Sequence, residues 1–81
     1  MQPGTHFDRP VAITLEGQLH WVSSLQKARE LLRHPVWPRR GPWHGDAVDS
    51  AREVAEGVSS LEEARLSFVD AARESDILLR A

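Results

Sequence analysis

PVAITLEGQLHWVSS, residues 10–24, carries the first structural decision of the chain. Val11, Ile13 and Leu15 alternate with Ala12 and Thr14, which is the two-residue period of a half-buried strand. Pro10 stands before that alternation, where a strand start or an edge tolerates a residue with no N–H. Glu16-Gly17-Gln18 reads as a turn, with Gly17 free to take positive φ. Leu19-His20-Trp21-Val22 returns as the partner, so residues 10–22 are expected to form a β-hairpin. Leu19 and Trp21 fall on one face of that hairpin; His20 and Val22 share the other.

Working outward, the period changes from two to 3.6 after Ser23-Ser24. Ser23 with Gln26 has capping-box spacing, and Leu25, Ala28, Leu31 and Leu32 form one helical stripe. Lys27, Arg29 and Arg33 lie off that stripe. Pro35 ends the helix, because the residue before a proline disfavours helical angles. A second helix is expected from about Asp46 to Glu56, with Ala47, Ala51, Val54 and Ala55 inward and Gly57 as its C-terminal cap. A third starts at Ser59 or Ser60, each with a Glu three residues on. Its inward face is Leu61, Ala64, Phe68, Ala71 and Ala72. Leu66 and Val69 lie on a neighbouring face, and Glu62–Arg65 and Asp70–Arg73 are surface pairs one turn apart. Ile77-Leu78-Leu79 reads as a closing strand, and residues 1–9 as an N-terminal tail with Phe7 against the core.

The expected order is β-β-α-α-α-β, an α+β domain over residues 10–81. Three short strands bury one face against helices; the other stays open or pairs with something else. An 81-residue chain with 41% hydrophobic and 27% charged residues is ordinary for one small globular domain. There is no cysteine, so disulfides and thiolate zinc sites are excluded, and the absence fits a reducing compartment. Small cores often need such staples, which leaves a second subunit as the available stabiliser. The start of the chain lacks a basic segment followed by an apolar run, and no stretch approaches the ~20 apolar residues of a membrane span. A cytoplasmic location is therefore expected, with no membrane partner.

The net charge of −2 argues against a dedicated nucleic-acid binder. Its distribution is uneven. Residues 1–45 carry six Lys/Arg and three Asp/Glu, a balance of +3; residues 46–81 carry four and nine, a balance of −5. The two halves complement one another, within one fold or between subunits.

Residues 35–45, PVWPRRGPWHG, are compositionally unusual. Their proline and glycine density breaks any helix, and an ordered loop is expected. Trp37, Arg39, Arg40, Trp43 and His44 are together a candidate ligand or partner surface, since guanidinium forks and indole faces suit anionic or planar groups. The alternative is that the two Trp plug a small core and the Arg side chains are solvated. His6, His20, His34 and His44 show no one-turn spacing for a helical metal site, so no metal and no cofactor is expected. His44 with Asp46 reads first as a helix start capped by Asp46. Ser23, Ser24, Ser59 and Ser60 sit at helix starts, where capping explains them, and no catalytic residue emerges.

Several of these blocks, taken in order, resemble a known family. They are Phe7 with Pro10-Val11; Val22-Ser23-Ser24; Trp37-Pro38-Arg39-Arg40-Gly41-Pro42 followed by His44 and Ala47; and Gly57, Ala64-Arg65, Phe68 and Ala71-Ala72. The chain resembles the DUF982 family of small bacterial proteins, found mainly in rhizobia and relatives, from about Phe7 to Leu79. The resemblance implies a bacterial, cytoplasmic protein and supplies no catalytic residue. A cysteine often found in the second helix of such proteins is missing here.

The functional expectation is a non-enzymatic protein-interaction or homodimeric module, with Leu66 and Val69 as the candidate self-association face. The alternative is nucleic-acid or anionic small-ligand binding through the basic region 27–44, where Lys27, Arg29, Arg33, Arg39 and Arg40 surround Trp37.

Overall fold

A computed structural model describes residues 6–81. Its elements run β1 (His6–Leu15), β2 (Gln18–Ser24), α1 (Leu25–Arg33), α2 (Pro42–Ala55), α3 (Leu61–Glu74) and β3 (Leu78–Arg80). The strands form one antiparallel sheet in the order β2-β1-β3. The first strand is thus central, and the expected α+β order holds throughout.

The hairpin closes through a two-residue turn, Glu16 (φ 51°) and Gly17 (φ 78°). Positive φ at both positions is the twist-compatible turn for antiparallel strands. Val11, Ile13 and Leu15 point into the core opposite Val22, His20 and Gln18; Ala12 and Thr14 lie opposite Trp21 and Leu19. β1 starts at His6, so residues 6–9 of the expected tail belong to the sheet; residues 1–5 lie outside the described residues. The register slips between His6 and Val11. Pro10 falls in that irregular stretch, where no regular ladder bond is asked of it. Phe7 is buried there. The Arg9 carbonyl accepts from Nε of Arg65 at 2.9 Å.

Helix starts fall within a few residues of their expected positions. α1 is capped by Ser24, whose hydroxyl accepts from the Lys27 amide at 3.2 Å, rather than by Ser23 with Gln26. α3 opens on a full capping box: the Ser60 hydroxyl accepts from the Glu63 amide, and the Glu63 carboxylate accepts from the Ser60 amide and the Ser59 hydroxyl. α2 and α3 both end in a Schellman motif. Gly57 (φ 78°) takes the left-handed position after α2, with Val58 donating to Glu53. Asp76 (φ 58°) takes it after α3, with Ile77 donating to Ala72. Ile77 itself is buried, and its carbonyl accepts from Thr14 before β3 begins at Leu78.

The core joins Val11, Ile13, Leu15 and Val22 of the sheet to Leu31 and Leu32 of α1 and to Phe68, Val69, Ala71 and Ala72 of α3. Small residues let the helices approach: Leu25, Ala51 and Ala64 form a second cluster between them, and the Ser50 and Ser67 hydroxyls meet at 3.2 Å. α3 packs against both α2 and β1, so its buried surface is wider than one stripe. This corrects two expectations. Val69 is core, and Arg65 is 2% exposed and not paired with Glu62 at the surface. The Asp70–Arg73 pair does form, at 3.6 Å, while Ala55 is exposed rather than inward.

Candidate functional site

The 35–45 stretch is a joint built from both ends of its neighbouring helices. α2 starts at Pro42, four residues earlier than expected, because a proline at the first helical position needs no N–H partner and brings helical φ with it. Trp43 and His44 are therefore helical. The free amides of Trp43 and His44 are met from the far end of α3. Glu74 accepts from Trp43 N–H through Oε2 at 3.3 Å and from His44 N–H through Oε1 at 3.2 Å. A carboxylate there also faces the positive end of the helix. The cap is thus Glu74, not Asp46. Gly41 makes room for it: a Cβ at position 41 would overlap the Glu74 carboxylate.

The same joint closes the end of α1. Leu32 is in the last turn, where carbonyls lack helical partners. Nε2–H of the buried His44 donates to the Leu32 carbonyl at 2.7 Å. The His34 carbonyl accepts from Trp37 N–H at 3.0 Å and from Nη2 of Arg40 at 2.7 Å. The Ser75 hydroxyl accepts from Arg39 N–H at 3.1 Å and donates to its carbonyl at 3.2 Å. Trp37, 3% exposed, packs its ring 5.7 Å from Phe68 and 6.0 Å from His44 by centroid. Its Nε1–H finds no hydrogen-bond partner among the described residues.

The five predicted residues are therefore split. Trp37 and His44 are buried structural groups, and Arg40 fastens the loop. Arg39 and Trp43 remain at the surface, where they line a shallow cleft with Asp70, Arg73 and Glu74. Trp43 is 49% exposed, so only one of the two indoles of the joint plugs the core. Leu66 is exposed and Val69 buried, so they do not share a surface. Among the described residues no three His, Asp or Glu converge as a metal-ligand set. No helix of the described chain is long and apolar enough to cross a membrane.

The larger apolar exposure lies on the outer side of the sheet. Leu19 and Trp21 are each more than half exposed, two residues apart on β2. Leu78 of β3 packs on the core, and its neighbour Leu79, at the irregularity in the β1–β3 pairing, is 58% exposed. The sequence placed Leu19 and Trp21 on one face; the strand order that puts β2 at the sheet edge was not readable from it.

The chain matches the family model of DUF982, described as a protein of unknown function, over residues 9–79. It belongs to the DUF982 family. The solution NMR structure of Agrobacterium tumefaciens protein Atu1219, a structural-genomics target, is similar to it at a TM-score of 0.75 and 29% identity, over 96% of this chain and 79% of that one. No curated protein matches the chain. The joint of this DUF982 chain contains the Trp37–Pro42 block; within it Trp37 is buried and Arg40 is bonded to the His34 carbonyl, while the Arg39 side chain lies at the surface.

Proposed function

We propose that this DUF982 chain is a non-enzymatic, self-associating module whose contact surface is β2 and the outer face beside it. One observation carries the reading. β2 is a seven-residue edge strand, Gln18–Ser24, with no Lys, Arg, Asp, Glu or Pro, and it exposes Leu19 and Trp21. Edge strands are ordinarily blunted by charge, proline or a cover, because their open N–H and C=O groups template pairing with another chain. An antiparallel β2–β2 contact between two copies continues the sheet and gathers the Leu19 and Trp21 side chains of both copies about the two-fold axis. Such a contact supplies the stabiliser that a small core without disulfides lacks.

The basic region 27–44 supports nucleic-acid binding less well. Its cations do not form one stripe: Arg29 and Arg33 line a cleft beside α2, Arg39 lies in a different cleft, and Arg40 is bonded to the His34 carbonyl.

Sedimentation equilibrium at roughly 100 μM protein, where even a micromolar association is populated, tests the reading. The expected mass is twice the 9.1 kDa of the chain. Trp21→Lys should return it to the monomer with an unchanged circular dichroism spectrum. A wild-type monomer at that concentration, or a dimer untouched by Trp21→Lys and by Leu19→Lys, overturns it.

A further inference from the structure

A second surface lies on the helical side, away from the outer face of the sheet. Between α1 and α2 is a cleft of about 380 Å³ lined by Arg29, Leu32, Arg33, Val48, Ala51 and Arg52. Small-molecule sites occupy roughly 300–1,000 Å³. The floor is apolar, from Leu32, Val48 and Ala51, and three guanidinium groups stand around it.

Those groups are not equivalent. Arg52 pairs with Asp49 at 3.4 Å and Glu56 at 3.9 Å, both on its own helix or at its end. Arg29 and Arg33 are one turn apart on α1, where like charges repel. Among the described residues neither forms an ion pair; the pairs present belong to Arg52 and Arg73. Counting the three arginines against the two carboxylates spent on Arg52 leaves the rim with a single net positive charge. The unspent forks are both on α1.

We infer that this cleft binds a small monoanion with a compact apolar body, of the class of an aryl or short aliphatic carboxylate. The carboxylate takes the planar forks of Arg29 and Arg33, a geometry that a guanidinium matches with two parallel bonds. The hydrocarbon part covers Leu32, Val48 and Ala51. The single net charge suits a monoanion and gives a polyphosphate or nucleic-acid strand too little neutralisation. The site lies on the opposite side of the sheet from the proposed self-association surface, so neither proposal depends on the other.

The test is a titration of the ¹⁵N-labelled protein followed by amide shifts, with phenylacetate and hexanoate as probes. Phenylacetamide, inorganic phosphate and adenosine triphosphate serve as comparisons. Saturable shifts confined to residues 29–33 and 48–52 are expected for the carboxylates. The uncharged amide should bind about tenfold more weakly or worse, the equivalent of one charge-assisted hydrogen bond. Arg29→Gln with Arg33→Gln should lose binding by at least about tenfold, while Arg39→Gln leaves it unchanged. Should the double variant unfold, Arg33→Lys reads the same feature, since it keeps the charge, removes the fork and should weaken binding. The inference is overturned by no saturation up to on the order of 10 mM carboxylate, by equal binding of the amide, by tighter binding of either phosphate compound, or by full affinity in the Arg29/Arg33 variants.

Discussion

The joint at residues 35–45 and the strand at Gln18–Ser24 have opposite relations to the rest of the molecule. The joint is rich in residues associated with recognition, yet its groups are largely consumed internally. Trp37 is core, His44 closes α1, Arg40 binds a carbonyl, and Glu74 caps α2. The strand is unremarkable in composition, yet its two largest apolar side chains meet no core. Conspicuous composition marks where the backbone needs help. A surface that can bind another molecule is marked instead by groups that the fold leaves unused.

Measurements can break this contrast. The largest expected effect separates the two indoles of the joint. Trp37→Ala should cost about 3–5 kcal/mol, the range for removing a buried aromatic, whereas Trp43→Ala should stay within ~0.5 kcal/mol. Urea unfolding of both variants checks this, and equal losses would mean that the joint has no buried centre. Next, Glu74→Ala removes two hydrogen bonds from the start of α2 and should cost about 1–2 kcal/mol. Gly41→Ala should reproduce part of that loss, because its Cβ displaces the same carboxylate. On the other side of the contrast, Trp21→Lys should change monomer stability by no more than ~0.5 kcal/mol, and a larger loss would show that the strand's outer face is structural after all.

The smallest effect sharpens the comparison between a long-range cap and a local one. Hydrogen bonds from the Ser60 amide first, then with the side chains of Ser60 and Ser59, hold the Glu63 carboxyl below its usual 4.5. A carboxylate whose folded value is depressed contributes above the unfolded value and loses that contribution as pH falls through the folded one. The stability gap between wild type and Glu63→Gln, measured by denaturant titration, should therefore be present at neutral pH and narrow progressively below about pH 4.5.

Most of the fold was legible because its signals are local. The alternation of Val11–Leu15, the Glu16-Gly17 turn, the Ser60–Glu63 box and the Gly57 cap each act over a few residues. What was not legible depends on distant partners. Ser24 rather than Ser23 caps α1 through a choice between neighbours of equal chemistry. Val69 and Arg65 are buried because α3 is gripped on two sides, which a single helical stripe does not report. Arg52 came into view as part of the α1–α2 cleft only when the two helices were placed beside each other. Glu74 gives no local sign that it serves a helix starting at Pro42.

That last contact also has a bearing on the order of events during synthesis. The amides at the head of α2 are made early, but the carboxylate that receives them is added some thirty residues later. While the chain is still emerging, α2 has its proline start and its Gly57 stop but no acceptor for its first turn. The joint between α1 and α2 is thus fastened by a residue made well after it, and the helical layer locks only once α3 is whole.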